Sequence, residues 1–412
     1  MNINNLTQEL NILGFKSPTA IQKEVWNPLT SGENIIGISP TGSGKTLAFL
    51  LPLINNVKKG NKSQLLIIEP NQELAMQTLK VVRNVCNKLN IDLGVGNLIG
   101  GVNINRQEIF IKKNHPEILI GTLGRITELV SKKNKWFKNI NSVIFDEADD
   151  LFSPTNDLVI FHLINLFNVE LQLSFFSATL TETLKNKVKR VTKDNYEIIN
   201  TYELDDTQGK IIHGNLLIRN KNKFNLILRI IRDTKYKILL FTNGRESLYK
   251  LSSFLNHNKV RHSKLLSSQN HNVRYKELND FKTNETNLLL ATDMSSRGID
   301  IQNIDIVINY DLPDSNIKYI HRTGRTGRMF HDGMVINLGN DHDFRILKRL
   351  NKNIEFHKAF FINKKFYLDA LPKKDIHEYS NNFSLNEKSV KKRKNKKKKR
   401  NKNKGVRMKN RK

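Results

Sequence analysis

The sequence predicts an α/β protein with two lobes, each a mostly parallel sheet with helices on both faces, followed by a disordered basic tail. Three observations support this fold. Short runs of Leu and branched residues alternate with longer amphipathic stretches, which is typical of parallel strands covered by helices. A polar segment without periodicity, TYELDDTQGK (201–210), divides these runs into two sets. After about residue 375 the alternation gives way to a sequence rich in Asn and Lys.

We predict a first lobe at residues 1–205, a second lobe at residues 206–375 and the tail at residues 376–412. The strand-like runs of the first lobe are at 34–39, 64–69, 95–100, 117–122, 142–147 and 171–179. Those of the second lobe are at 213–218, 237–242, 261–267, 287–292, 305–310 and 333–338. A length of 412 residues agrees with two or three domains rather than one.

The composition excludes several classes of protein. One cysteine, Cys86, excludes an intramolecular disulfide framework and a cysteine-based zinc site, and favours a reducing compartment. The N-terminus lacks the pattern of a signal peptide. The longest apolar run, LAFLLPLI (47–54), is far shorter than the roughly 20 residues that span a bilayer. We therefore expect a soluble intracellular protein without a membrane partner.

The net charge of +29 indicates a polyanionic partner, most simply a nucleic acid. Residues 388–412 contain 16 Lys or Arg among 25 residues and no acidic residue, which leaves +13 on the rest of the chain. The alternative for the basic run alone is a solvated tail that aids solubility or targeting. The basic body favours contact with nucleic acid.

SPTGSGKT (39–46) follows the first strand-like run and predicts a phosphate-binding loop. Gly42 and Gly44 allow the turn and let backbone N–H groups approach phosphate oxygens. Lys45 is expected to reach the β and γ phosphates of a nucleotide, and the Thr46 hydroxyl to bind Mg²⁺. The alternative is a Gly-Ser turn with an incidental Lys. The candidate nucleotide-binding residues of this loop are Ser39, Pro40, Thr41, Gly42, Ser43, Gly44, Lys45 and Thr46.

VIFDEADDLF (143–152) places four carboxylates directly after another strand-like run. Like charges this close require a cation or a hydrogen-bond donor. Asp146 is positioned to hold Mg²⁺ together with Thr46, and Glu147 to orient and deprotonate an attacking water. Asp149 is expected to form hydrogen bonds. Asp150 is expected either to be solvated or to complement a helix dipole.

These motifs, with SAT (177–179) and HRTGRTGR (321–328) in this order, resemble those of DEAD-box ATP-dependent RNA helicases of the small bacterial type. Each motif alone is weak, whereas the ordered set is very specific. The resemblance covers about residues 10–370. It implies two RecA-like lobes, with ATP in the cleft between them and RNA lying across both.

The resemblance also implies roles for single residues around the nucleotide. Gln22 would bind the adenine edge, and Asp300 the ribose. Arg325 and Arg328 would be arginine fingers, while His321 and Arg322 would link the nucleotide site to the rest of the protein. Because the fingers and the phosphate loop lie on different lobes, hydrolysis would require closure. The candidate catalytic residues are Lys45, Glu147, His321, Arg325 and Arg328.

Coupling and RNA contacts follow from the same resemblance. Ser177 and Thr179 would connect hydrolysis to strand separation through the DEAD carboxylates, although both residues alternatively suit the cap of the next helix. Arg297 is expected to contact the segment DEAD (146–149) when the lobes close. Asp149 and Arg322 are expected to take part in the same coupling. The candidate RNA-binding residues are Asn71, Gln72, Gly100, Gly101, Arg125, Thr292 and Gly298.

The chain departs from the family at several positions. Asn71-Gln72 replaces the usual Thr-Arg, Leu123 replaces a Pro, and His271 replaces a Gln. The aromatic residue expected near Leu6 is absent. One phosphate-pairing cation is therefore missing from the core, and the basic tail is a candidate to offset the loss.

We expect an RNA-dependent ATPase that locally opens short RNA duplexes or remodels RNA–protein complexes, with ATP and Mg²⁺ as cofactors. One alternative is an ATP-gated RNA clamp or annealing chaperone, and another is a DNA-directed motor of the same architecture. The resemblance implies a monomer that acts in the cytoplasm on RNA, including ribosomal precursor particles. In a eukaryote the tail would alternatively direct the chain to the nucleus or nucleolus.

Overall fold

The computed structural model describes residues 3–60, 62–101, 103–167, 170–205, 207, 209–266, 269–296, 301, 303–328 and 331–370. The predicted tail at 376–412 lies outside these ranges. Three predicted site residues, Arg297, Gly298 and Asp300, also lie outside the described residues. None of the helices within these ranges is both long enough and apolar enough to cross a membrane.

The first sheet is entirely parallel, with the strand order β3-β4-β2-β5-β6-β1-β7. Its strands are β1 (Ile35–Ile38), β2 (Leu65–Glu69), β3 (Val95–Leu98), β4 (Ile118–Thr122), β5 (Ser142–Phe145), β6 (Gln172–Ser177) and β7 (Glu197–Asn200). The helices of this lobe are α1 (Ile3–Leu13), α2 (Ala20–Glu24), α3 (Trp26–Thr30), α4 (Lys45–Ile54), α5 (Gln72–Lys88), α6 (Ile104–Asn114), α7 (Leu123–Lys133), α8 (Ala148–Leu151), α9 (Asp157–Leu166) and α10 (Glu182–Val191), with a 3₁₀ turn at Asn134–Trp136.

The second sheet has the order β10-β11-β9-β12-β13-β8-β14-β15 and is parallel except for its last pair. Its strands are β8 (Ile211–Leu217), β9 (Ile238–Thr242), β10 (Ser263–Leu265), β11 (Leu288–Thr292), β12 (Ile306–Asn309), β13 (Gly333–Gly339), β14 (Phe356–Ile362) and β15 (Lys365–Leu368). The helices of this lobe are α11 (Lys223–Asp233), α12 (Arg245–His257), α13 (His271–Lys282), α14 (Asp293–Ser296), α15 (Asn316–Thr323) and α16 (Asp341–Leu350), with a 3₁₀ turn at Asn220–Asn222.

Both faces of each sheet are buried. On β2, Leu65 and Ile67 pack into one apolar cluster, while Leu66 and Ile68 pack into the cluster on the opposite face. Burial of each such side chain contributes about 1.5–3 kcal/mol, which explains why these strands are continuous apolar runs rather than alternating ones. The predicted two-lobed α/β fold is confirmed.

Each of the twelve predicted runs overlaps a strand, whereas β7, β14 and β15 have no predicted counterpart. β7 buries only Ile199 and therefore has no apolar run. β14 and β15 form an antiparallel hairpin whose turn residues, Asn363 and Lys364, both have positive φ. This conformation normally favours Asn-Gly, so Asn-Lys carries a weaker signal.

His213 on β8 makes the stability of the second lobe dependent on pH. Burial, aided by the charge of His357, lowers the pKa of His213 to about 4, below its ordinary value. The unfolded chain therefore binds the proton more readily, and stability is lost as the pH falls from about 6.5 to 4. The stability advantage of wild type over His213→Phe should fall by about 2–3 kcal/mol between pH 7.5 and 4.5 in urea unfolding. The exposed His257→Phe is the control, and an advantage independent of pH would contradict the prediction.

Candidate active site

The order of the first sheet brings three of the predicted motifs together. β5, β6 and β1 are neighbours, so the segments that follow them leave the same carboxyl edge of the sheet. These segments are the phosphate loop at 39–44, the acidic segment at 146–150 and the SAT segment at 177–179. Ligands of parallel sheets bind at such edges.

The phosphate loop has the backbone geometry that its glycines predict. Gly42 and Gly44 have φ of 88° and 89°, a region that other residues rarely adopt. The Ser39 and Ser43 hydroxyls are 2.7 Å apart, and Ser43 Oγ donates to the Pro40 carbonyl at 2.9 Å. Gln22 Nε2 donates to the Gly44 carbonyl at 3.2 Å, so the predicted adenine-binding residue lies against the loop.

The Lys45 ammonium folds back over the phosphate loop and donates to the carbonyls of Ser39 at 2.8 Å and Pro40 at 3.1 Å. The residue is only 8% exposed. Burial lowers the pKa of Lys45, and the carboxylates of Glu147 and Asp146 oppose this shift. A cation held over a concave loop beside half-buried Thr46 provides the charge that a polyphosphate requires.

Asp146 and Glu147 lie at the end of β5, within reach of the charge of Lys45. Burial, and then the charge of Glu147, raises the pKa of Asp146 to about 7. Its Oδ1 accepts from the Glu147 N–H at 2.9 Å. Glu147 adopts φ of 50°, a left-handed conformation uncommon outside glycine. Such backbone geometry clusters at functional sites, where surrounding contacts hold it in place.

Glu69 also belongs to this acidic group, although it lies outside the predicted motifs. It ends β2, is fully buried, and accepts from Thr78 Oγ1 at 2.6 Å. Burial and the charge of Asp146 raise the pKa of Glu69 well above its ordinary value. A carboxylate at the last position of the run QLLIIE was the signal that would have identified it.

The donor set at this edge fits Mg²⁺, which prefers oxygen ligands. Two groups of residues are candidates for holding the ion. Glu147, Asp149 and His321 have ligand atoms within 4.8 Å of one another. In that group, however, Asp149 already accepts from Thr179 and pairs with His321. Asp146 with Thr46, the group predicted from the sequence, is the second candidate.

Asp149 connects the two lobes. Thr179 Oγ1 donates to Asp149 Oδ2 at 2.5 Å, and His321 Nε2 of the second lobe lies 3.2 Å from the same oxygen. Burial would lower the pKa of His321, but the hydrogen bond and charge of Asp149 raise it above its ordinary value. Ser177 Oγ accepts a hydrogen bond from the Thr179 N–H at 3.1 Å, and this bond orders the SAT turn. The helix-cap alternative is wrong, since Thr181 caps α10.

The basic segment after α15 meets the phosphate loop across the cleft. Thr41 Oγ1 donates to the Gly324 carbonyl at 2.9 Å. A Cβ placed on Gly42 would lie 3.4 Å from the Arg328 side chain, whose Nε donates to the Gly324 carbonyl at 2.6 Å. Arg325 is buried, and its charge opposes the rise in the pKa of His321. Of the two predicted fingers, Arg328 thus borders the phosphate loop.

Arg322 faces the interior of its own lobe. Its guanidinium pairs with Asp293 through Nε at 2.5 Å and Nη2 at 2.8 Å, and Nη2 also donates to Asn243 Oδ1 at 2.7 Å. Asp293 directly follows Thr292, the predicted RNA contact. Thr292 is buried, with its Oγ1 3.0 Å from Ser295 Oγ.

The predicted RNA contacts of the first lobe fall into two groups. Gln72 is exposed, and its Nε2 would be 3.1 Å from a Cβ on Gly100, which places it beside the predicted pair Gly100-Gly101. By contrast, Asn71 caps α5 by accepting from the Leu74 N–H at 2.9 Å. Arg125 donates to Gln107 at 2.6 Å and pairs with Glu128 at 3.3 Å.

A second contact between the lobes, between Glu73 and Arg274, was not predicted. Arg274 Nε on α13 lies 2.8 Å from Glu73 Oε1 on α5. Arg274 is mostly buried and also donates to the Ser295 carbonyl at 2.5 Å. The pair therefore connects the lobe-one helix that begins at the predicted RNA residues with the segment after Thr292.

Glu73→Ala should weaken closure while leaving the chemistry intact. An ion pair of this exposure contributes up to about 1 kcal/mol to the free energy of closure. We therefore expect the RNA concentration for half-maximal ATPase stimulation to rise about fivefold. The maximal rate should be unchanged in ATPase titrations with single-stranded RNA. Glu170→Ala, at the opposite edge of the sheet, is the matched control. An unaltered RNA titration for Glu73→Ala would show that the pair does not support closure.

Comparisons with known proteins agree with this architecture. The family models described as DEAD/DEAH box helicase and Helicase conserved C-terminal domain match residues 19–187 and 222–330. The structure is similar to that of Dbp5 from S. cerevisiae bound to RNA and ADP BeF3, with a TM-score of 0.75 and 24% identity over 94% of this chain and 96% of that chain. That similarity supports the RecA-like fold of both lobes.

Three similar relatives are helicases by name. The probable ATP-dependent RNA helicase YfmL of Bacillus subtilis is 32% identical over 85% of this chain and 92% of its own length. The DEAD-box ATP-dependent RNA helicase CshB of Listeria monocytogenes is 33% identical over 86% and 82%. The ATP-dependent rRNA helicase RRP3 of Candida albicans is 29% identical over 84% and 65%. The chain therefore belongs to the DEAD-box family of ATP-dependent RNA helicases.

Proposed function

We propose that RNA drives ATP hydrolysis by holding the lobes in the closed arrangement, and that this cycle opens short duplexes locally. The observation that carries the proposal is the contact of α15 and its following segment with the first lobe. His321 reaches Asp149, and Gly324 accepts from Thr41. A strand bound across both lobes favours the state in which these contacts form.

In the proposed reaction, Gln22 binds the adenine edge, while the loop amides and Lys45 bind the phosphates. Glu147 orients a water in line with the γ-phosphate and accepts its proton. Arg325 and Arg328 stabilise the charge on the transferring phosphoryl group, and ADP and phosphate leave. Asp149 accepts from Thr179 and pairs with His321, and through these contacts it couples closure of the lobes to the SAT segment.

We further propose that Asp146 and Thr46 hold Mg²⁺. The buried carboxylate of Asp146, whose charged form is compensated only in part by Lys45 and the Glu147 N–H, supports this assignment. When bound, the ion would neutralise charge on the nucleotide phosphates. Binding of Mg²⁺ by Asp146 is expected to be strongest when the carboxyl group of Asp146 is ionised.

On the RNA side, we propose that Gln72, Gly100, Gly101 and Arg125 of the first lobe and Thr292 of the second contact the RNA backbone. The neutral amide of Gln72 offers hydrogen bonds without charge. Binding by the core should accordingly depend less on salt than binding by a core with a cation there.

Duplex opening separates this proposal from the alternative of an ATP-gated clamp or annealing chaperone. The test is release of a labelled strand from a short RNA duplex with ATP, without ATP, and with a nonhydrolysable analogue. Release that requires ATP supports the unwinding activity. Tight RNA binding with ATP and no strand release would instead support the clamp.

Removal of the tail should weaken RNA binding without slowing hydrolysis. Residues 388–412 carry 16 Lys or Arg. If they neutralise about five phosphates of single-stranded RNA, a chain ending at Asp375 should show a log–log salt slope shallower by about 3.5. Affinity titrations at several salt concentrations measure this slope. A full-length variant with these basic residues replaced by Gln separates charge from length, and an unchanged slope would contradict the role.

We also propose that the chain acts as a monomer in the cytoplasm on structured RNA, including ribosomal precursors. One relative is named an rRNA helicase, which supports this class of target. Co-sedimentation of the chain with ribosomal precursor particles, compared with mature subunits, tests the target. Enrichment on neither would contradict it.

A further inference from the structure

Three asparagine side chains form a hydrogen-bonded row across the second sheet, which we name the asparagine ladder: Asn215 on β8, Asn337 on β13 and Asn309 on β12. The strand register places the three residues side by side. Asn309 Nδ2 donates to Asn337 Oδ1 at 2.8 Å, and Asn337 Nδ2 donates to Asn215 Oδ1 at 3.0 Å. Asn309 and Asn337 are fully buried. Apolar residues normally occupy such positions, because buried amides cost free energy unless they are hydrogen-bonded.

The direction of every hydrogen bond in the ladder follows from Arg322. A guanidinium can only donate, and Arg322 Nη1 donates to Asn309 Oδ1 at 3.1 Å. The Nδ2 group of Asn309 must therefore donate to Asn337 Oδ1. The Nδ2 group of Asn337 in turn donates to Asn215 Oδ1 and, at 3.3 Å, to the Tyr319 hydroxyl. The Tyr319 proton is then available to His213 Nδ1, 2.9 Å away. The burial that keeps His213 neutral agrees with its role as acceptor.

The ladder attaches to α15 at two points one turn apart. Tyr319 contacts Asn337, and Arg322 contacts Asn309. Residues three apart lie on one face of a helix, so these bonds fix both the rotation of α15 and its position along the sheet. His321, between them in sequence, projects towards Asp149 of the other lobe. Arg325 and Arg328 directly follow the helix.

We propose that the asparagine ladder positions α15 so that His321, Arg325 and Arg328 meet the nucleotide site when the lobes close. Its members are positioning residues, since they act through Tyr319 and Arg322 and touch no substrate. This inference rests on the proposed function of the basic segment after α15. A buried amide row that only stabilised the fold would be replaceable by apolar side chains of similar volume, often at little cost.

The test is the double substitution Asn309→Val and Asn337→Val in the full chain, which replaces two buried amides with apolar groups. At saturating ATP and RNA we expect kcat to fall by about 10- to 100-fold, the range that small displacements of reacting groups produce. KM for ATP should stay within about twofold, because the proposed adenine-binding residue Gln22 and the phosphate loop lie on the other lobe. Tyr319→Phe removes only one hydroxyl, and a fall in kcat of about three- to tenfold is expected.

Ile336→Ala is the matched control, since Ile336 adjoins Asn337 on β13 but packs on the opposite face of the sheet. It should retain kcat within about twofold at temperatures where it remains folded. Urea unfolding monitors folding of each variant. A folded double variant and a Tyr319→Phe variant that both keep the wild-type kcat would overturn the proposal. Arg328→Ala is tested in parallel to separate this failure from failure of the proposed function. If kcat falls in Arg328→Ala but not in the ladder variants, only the ladder proposal is wrong. If kcat is unchanged in Arg328→Ala as well, the proposed function of the basic segment is wrong.

Discussion

Replacement of Glu147 by Gln is expected to lower the rate of RNA-stimulated ATP hydrolysis by about 10³-fold, within the range for loss of a general base. The amide has nearly the same shape as the carboxylate but cannot accept the proton of the attacking water. The left-handed backbone at Glu147 and the hydrogen bond from its N–H to Asp146 do not depend on the side chain. Binding of ATP and RNA should therefore be retained.

Phosphate release measures hydrolysis, and a fluorescent ATP analogue measures binding. Asp150→Asn, three positions further on, makes the same chemical change outside the proposed catalytic group and is expected to keep near-normal turnover. Glu147→Gln with more than a tenth of the wild-type rate would remove Glu147 from the role of base. Loss of ATP binding would instead indicate a structural defect.

Arg328→Ala is expected to reduce kcat by about 10³-fold, the lower end of the contribution of arginine fingers. Arg328 belongs to the second lobe, yet its side chain lies beside Gly42 of the phosphate loop. Nucleotide binding by the first lobe should therefore survive its removal. Single-turnover hydrolysis with saturating RNA isolates this step, and Arg345→Ala on the exposed face of α16 is the control. An Arg328→Ala variant with normal single-turnover hydrolysis would contradict the finger assignment.

The charge of Arg328 predicts that closure of the two lobes depends on nucleotide. Arg328 is among the groups that lower the pKa of Lys45, so the two cations repel each other across the cleft. The phosphates of ATP would attract both. We therefore expect bound ATP to convert a repulsive contact between the lobes into an attractive one, and hydrolysis with phosphate release to reverse the change.

The sequence predicted the parts of the site that lie in single segments. Gly42 and Gly44, the carboxylates after β5 and the basic residues after α15 carry local signals that follow from chain geometry. The pair Glu73–Arg274 depends on a tertiary contact between distant segments, for which no local signal exists. The asparagine ladder is of the same kind, since its three members are separated by 122 and 28 residues.

Local context also changed the interpretation of some predicted RNA residues. Asn71 was predicted from its place in a motif, but its side chain caps α5, which is a common role for Asn before a helix. Arg125 carries a positive charge that Glu128 partly compensates. A sequence motif predicts which segment lies near RNA, whereas the hydrogen-bond partners in the structure decide which side chains remain available to contact it.

The most direct test of the account is ATP hydrolysis by the full chain with no nucleic acid, with single-stranded RNA, and with DNA of the same sequence. We predict strong stimulation by RNA, because a strand that spans both lobes brings His321 and the following arginines to the nucleotide. We predict little stimulation by DNA, because DNA lacks the 2′-hydroxyl groups by which proteins distinguish RNA from DNA. Turnover that is the same in all three conditions would contradict the claim that RNA-driven closure assembles the active site.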